Sequence, residues 1–165
     1  LAVTTEQVKQ LREATGAGIM DCRRALEQTG GNLEEAREIL RRQGLASVEK
    51  KKSREARQGL VDAYIHAGGR IGAMVEVNCE TDFVARTDQF RTLARELAMQ
   101  VAAMNPSRVG NEETDGQVSE DSVALLDQPW IRDPSKTIRD LVNETIAQVG
   151  ENVVVRRFAR FELGG

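Results

Sequence analysis

Hydrophobic positions in the first 45 residues recur at helical spacing in three short bursts. Val8 and Leu11 form the first, behind a Thr4-to-Gln7 capping box with Val3 and Val8 spaced as a hydrophobic staple. Gly16 and Gly18 then interrupt the pattern, and Ile19, Cys22, Ala25 and Leu26 resume it. Leu33, Ala36, Ile39 and Leu40 form the third burst, with Asn32 as its cap, Glu35 three residues on and Gly44 as its stop. The pattern predicts a three-helix domain over residues 1–45, small enough to depend on one tight shared core. A fourth helical stretch, dominated by Lys50, Lys51, Lys52, Arg54 and Arg57, makes 46–58 a basic linking helix.

At Gly59 the period changes from helical to alternating. Val61, Ala63 and Ile65 alternate with Asp62, Tyr64 and His66; beyond Ala67-Gly68-Gly69, Ile71, Ala73, Val75 and Val77 alternate with Gly72, Met74, Glu76 and Asn78. This predicts a β-hairpin, and placing Ile65 opposite Ile71 gathers both apolar sets on one face. Helix returns over 87–104, where Phe90, Leu93, Leu97, Val101 and Met104 make one stripe that Asn105-Pro106 ends. Residues 107–122 have no periodicity and predict a solvated acidic linker. A short strand over 123–126 is expected next, then a helix carrying Ile138, Leu141, Val142, Thr145 and Val149 and closed by Gly150, then a strand over 152–163. The fold class is α+β: three helices, a linking helix, and a core at 59–165 in which an antiparallel sheet packs against helices.

Strict alternation along the final strand puts Val155, Arg157, Ala159, Phe161 and Leu163 on one face. Val154, Arg156, Phe158, Arg160 and Glu162 take the other. Phe158 and Phe161 therefore point opposite ways. Both faces need cover, which favours a homodimer built on the C-terminal strand over a monomer whose linker or Trp130 closes the second face.

Composition adds limits. Of 165 residues, 40% are hydrophobic but only 4% aromatic, so the core is aliphatic. No apolar run approaches the roughly 20 residues that cross a bilayer, and no secretory signal is apparent; the start at Leu1 instead of Met suggests trimming. The front of the chain is mildly basic, whereas 105–127 sets Arg108 against six acids; neither argues for direct nucleic-acid binding.

Candidate chemistry is sparse. His66 is the sole histidine, and Cys22 and Cys79 lack paired-thiol or metal-ligand spacing. In the hairpin, nine residues at about 3.3 Å each separate His66 from Cys79, so the histidine is out of proton-transfer reach. Both cysteines read as buried thiols. Glu80 and Asp82 read as caps of the following helix, not as a metal or hydrolytic pair. The glycine-rich stretches lack the residues of a phosphate loop. No catalytic site, cofactor or metal is expected. Two segments stand out. In LREATGAGIMDC, a tight loop presents Ile19 and Met20 beside Arg12 and Arg23, with burial of one or both as the alternative. In EVNCETDFVA, Thr81 or Asp82 caps the next helix and Phe83 stands at the junction, where an aromatic in isolation reads as buried.

Those two segments, with GENVVVRRFARFEL at the end, resemble the signatures of the bacterial translation elongation factor Ts family, and the likeness covers nearly the whole chain. The resemblance implies a first domain of the ubiquitin-associated type and a cytoplasmic, non-enzymatic exchange factor releasing GDP from elongation factor Tu. It further implies that Thr81, Asp82, Phe83 and Val84 contact the GTPase. Phe83, beside Asp82, would push between helices near the bound Mg²⁺, while Arg12, Ile19, Met20 and Arg23 dock on another helix. The sequence departs from the family in its short acidic linker, its single core, and Ala159 where some short members carry cysteine. A rival reading is an adaptor that only tethers partners through Gly18-Ile19-Met20. Such a tether has no use for the 81–85 segment.

Overall fold

The computed structural model describes residues 3–110 and 123–165 and divides the chain into two compact units, 1–53 and 54–165. In the first unit α1 (Thr5–Thr15), α2 (Ile19–Gln28) and α3 (Leu33–Lys51) enclose Leu11, Cys22, Ala25, Leu26, Ala36 and Leu40. The capping box forms: Thr4 Oγ1 accepts the Gln7 N–H at 3.2 Å, and Gln7 Oε1 accepts the Thr4 N–H at 2.9 Å. Val3 and Val8 pack on the core as the staple requires. Gly16 ends α1 at φ 69, and the Asn32 carboxamide oxygen accepts the N–H groups of Glu34 and Glu35 to start α3.

Gly44 does not stop α3, and the third and fourth predicted helices are one, ending at Lys51. A single interior glycine costs only about 1 kcal/mol relative to alanine. Leu45, Ala46, Glu49, Lys50 and Lys51 are good helix formers that carry the helix through. Arg54 and Arg57 lie beyond it.

In the second unit β1 (Gln58–Ile65), β2 (Ile71–Cys79) and β5 (Val153–Glu162) form an antiparallel sheet in the order β1-β2-β5. Between them come α4 (Asp82–Ala85), α5 (Asp88–Met104), a 3-10 turn (Leu125–Asp127), β3 (Pro129–Trp130), β4 (Asp133–Thr137) and α6 (Ile138–Val149). The buried side of α5, with Phe90, Leu93, Ala94, Leu97, Ala98 and Val101, lies on one face of the sheet, and α6 packs against α5. Thr87 caps α5 through its hydroxyl, and Asn105 ends it at φ 46. Gly59 has φ 142 and approaches β2 so closely that a Cβ there would lie 2.0 Å from the Val77 carbonyl oxygen.

The hairpin register differs by one residue from the expected pairing. Ile65 faces Gly72, not Ile71. The turn closes one residue later: the His66 N–H donates to the Ile71 carbonyl at 2.8 Å, and the Gly69 N–H donates to the His66 carbonyl at 2.9 Å. The helix-facing set is therefore Leu60, Asp62 and Tyr64 with Ala73, Val75 and Val77. Tyr64 earns its place by stacking under the Arg95 guanidinium, 5.3 Å from its ring centre. Val61, Ile65 and Met74 are left on the open face.

The final strand also breaks strict alternation. A bulge pairs Glu76 with Arg157 and Val77 with Val155, so Arg156 is the extra residue. Val153, Val155 and Phe158 thereby share the helix side, while Ala159 and the exposed Phe161 occupy the open side. Val155 was expected on the opposite face. The stretch read as a strand over 123–126 instead enters the 3-10 turn, whose Leu125 and Leu126 N–H groups donate to the Arg108 and Val109 carbonyls at 2.9 Å. The rest of the predicted linker, 111–122, lies outside the described residues.

Candidate partner-binding site

The Thr81–Val84 segment follows the last rung of the β2–β5 ladder, where Cys79 pairs with Val153. Thr81 caps α4, its hydroxyl accepting the Val84 N–H at 3.4 Å. Val84 and Ala85 are buried. On a single helical turn that orientation sends Asp82 and Phe83 outward, because successive side chains point about 100° apart. Phe83 is 77% exposed. Burying a phenylalanine is worth about 1.5–3 kcal/mol, so this arrangement forgoes a contribution the fold would otherwise collect. Asp82 pairs with Arg86 at 2.8 Å. Val84, expected at the contact surface, belongs instead to the packed side of the turn.

Thr81 is held from several directions. Its N–H and that of Glu80 donate to Glu151 Oε2 at 3.0 and 3.1 Å, and its hydroxyl donates to Glu151 Oε1 at 2.6 Å. The Cys79 thiol donates to the Thr81 carbonyl at 3.1 Å. Burial pushes that thiol up to about 11, and the Glu151 carboxylate adds repulsion against a thiolate. Cys79 is thus a neutral donor near pH 7, and His66 stands at the opposite end of the hairpin. Glu80 does not cap α4. Its Oε1 accepts the Asn152 N–H at 2.7 Å and lies 3.6 Å from Arg54 Nη1. No local pattern points to Glu151, some seventy residues away; only its place within the GENVVVRR run singles it out.

The other predicted residues lie on the first unit, flanking the Gly16–Gly18 loop. Ile19 and Met20 are both exposed, at 54% and 64%, because Cys22, Ala25 and Leu26 fill the inward side of α2. Arg12 and Arg23 are also exposed, and Arg23 Nε pairs with Glu27 at 3.0 Å. Burial raises the Cys22 thiol above its ordinary value. The patch thus combines two apolar side chains with two guanidinium groups, a composition enriched at interface hot spots.

Comparison with known proteins agrees with the family resemblance. Residues 4–123 match the family described as Elongation factor TS. The elongation factor Ts of Carboxydothermus hydrogenoformans is 47% identical over 98% of this chain and 89% of its own length. That of Thermoanaerobacter pseudethanolicus is 47% identical over 98% and 95%, and that of Coprothermobacter proteolyticus 46% over 99% and 100%. The aligned stretches run to 194 or 196 positions, longer than the 165-residue chain, so these relatives carry residues it lacks. The chain belongs to the elongation factor Ts family: it is a guanine-nucleotide exchange factor of translation, not an enzyme.

Proposed function

We propose that the chain releases GDP from elongation factor Tu with the Phe83 turn as its working element. Phe83, with Asp82 beside it, enters between helices of the GTPase nucleotide domain near the Mg²⁺ site and disturbs the ion and the phosphate loop. Arg12, Ile19, Met20 and Arg23 dock on a separate helix and supply affinity. The observation that carries the reading is the outward Phe83 on a turn whose neighbours Val84 and Ala85 are buried. Exchange then follows from linkage: a factor that binds the nucleotide-free GTPase more tightly than the GDP form weakens GDP by the same ratio. The setting is the cytoplasm, where translation elongation runs.

The test follows release of fluorescent GDP from elongation factor Tu with wild-type and F83A factor, alongside melting. The expected result is a loss of about thirtyfold or more, the size of a hot-spot truncation, with the melting temperature kept. Unchanged release, or an unfolded variant, removes the role.

A second element of the proposal is a homodimer through the C-terminal strand. On the open face of the sheet Ile65, Met74, Phe161 and Leu163 line a hollow of about 460 Å³, with Val61 exposed on the same face, and a second copy would cover it.

A further inference from the structure

Beyond Cys79 and Val153 the two strands diverge, and the N–H groups of Glu80 and Thr81 have no ladder partner. Glu151 replaces the missing strand. One carboxylate takes three donors, two backbone N–H groups and the Thr81 hydroxyl. The exchange is mutual, because the Glu80 carboxylate takes the Asn152 N–H, and the Asn152 carboxamide donates to the Arg54 carbonyl at 2.8 Å. Glu151 follows Gly150, which ends α6 at φ 77, so the carboxylate is carried on a fixed helix terminus. With the Cys79 thiol and the Ala85 N–H on its carbonyl and the Val84 N–H on its hydroxyl, every polar group of Thr81 is engaged.

Phe83 stands two residues beyond this clamp, on a helix of four residues. One turn has no stability of its own, since nucleation fixes several dihedrals for a single hydrogen bond. The direction of Phe83 therefore depends on what holds the turn from outside: the buried Val84 and Ala85 within it, and the clamp on its N-cap, Thr81. We propose that Glu151 is a positioning residue for nucleotide exchange: by clamping Thr81 it pre-orients Phe83, so that the ordering cost is met before the GTPase is encountered. This rests on the reading of Phe83 as the intruding group. Glutamine cannot substitute fully, because its amide offers one acceptor oxygen and turns a donor toward donors.

The experiment measures GDP release from elongation factor Tu at saturating factor for wild type, E151A, E151Q, F83A and F83A/E151A. Each full-length protein is first checked by circular dichroism. E151A is expected to slow release about tenfold or more, as small misplacements of a working group do, and E151Q by less. The double variant should be no slower than F83A, because a clamp that acts through Phe83 has nothing left to position. With fluorophenylalanine incorporated, the resonance that F83A removes should be a single line in wild type and broadened or split in E151A. If E151A does not fold at the assay temperature, E151Q and F83A/E151Q carry the same comparison. Wild-type rates in the Glu151 variants beside a slow F83A overturn the clamp alone. Additive losses in the double variant also overturn it, assigning Glu151 to general stability. A wild-type rate in F83A overturns the premise and the clamp with it.

Discussion

Ile65 lies directly opposite Gly72 in the β1–β2 ladder, and its Cδ1 sits 2.7 Å from where a Cβ on residue 72 would be. The isoleucine lies across the glycine on the open face of the sheet. That face is shaped by an absence of side chain at one position and by an exposed aliphatic at the next.

The same relationship separates two glycines by their consequences. A methyl at Gly72 crowds the far end of an exposed, flexible side chain and meets the Tyr64 carbonyl oxygen at an ordinary 3.7 Å, so overpacking of about 1 kcal/mol is offset by the strand entropy alanine recovers. Gly72→Ala should melt within about 4 °C of wild type. Gly59→Ala places a Cβ 2.0 Å from the Val77 carbonyl oxygen at φ 142, and neither backbone can yield cheaply. It should cost on the order of 3 kcal/mol or more. Urea denaturation of both variants checks the contrast, and equal midpoints would contradict the register.

Met20, exposed on α2, adds nothing to the core that Cys22, Ala25 and Leu26 build. Met20→Ala should leave the melting temperature unchanged and weaken binding to elongation factor Tu by about tenfold or more, roughly 1.4 kcal/mol. Calorimetric titration reads the affinity. An unchanged Kd would take the α1–α2 patch out of the interface.

Cys79 predicts an alkaline limit. Its folded-state pKa of about 11 lies above the ordinary value of 9.0, first because the thiol is desolvated and then because Glu151 repels a thiolate. A raised folded pKa gives a contribution fully present below about pH 9 and lost as pH rises through about 11. Melting temperature should fall across that window, and less steeply in Cys79→Ser, which keeps a donor for the Thr81 carbonyl without titrating there. Equal slopes in the two proteins would rule out Cys79 as the titrating group.

Local signals were legible where local chemistry decides. The Thr4 and Asn32 caps, the Gly16 stop and the α5 stripe follow from residues within one turn of each other. Long-range partners decided the rest. The hairpin register brings Tyr64 under Arg95 on α5, and β3 is tied to α5 by the buried Gln100, a long-range contact that no local pattern announces. Its amide donates to the Gln128 side chain and the Pro129 carbonyl at 3.1 Å, and its oxygen accepts the Ile131 N–H at 3.0 Å. At the candidate site, the family likeness pointed to Phe83 where composition alone placed it inside. Glu151 remained invisible because its partners lie some seventy residues upstream.

The proposed dimer makes the sharpest demand on the open face. The bulge at Arg156 collects Val153, Val155 and Phe158 on the helix side, so what stays outside is not leftover from a poorly packed strand. Phe161, 72% exposed, projects there with Ile65, Met74 and Leu163, and the ion pair of Arg157 with Glu76 at 2.6 Å borders them. An aromatic ring among aliphatic neighbours within a charged border has the anatomy of an interface core and rim. Phe161→Asp would place a carboxylate in that core, where desolvation without a partner is costly, yet it changes nothing the helices touch. It should convert a dimeric mass to a monomeric one in light scattering at micromolar concentration, with the circular dichroism spectrum kept. Reducing agent should change nothing, because residue 159 is alanine and the two cysteines, Cys22 and Cys79, are buried as free thiols. A monomeric wild type with full exchange activity would remove the dimer and leave the open face to another partner.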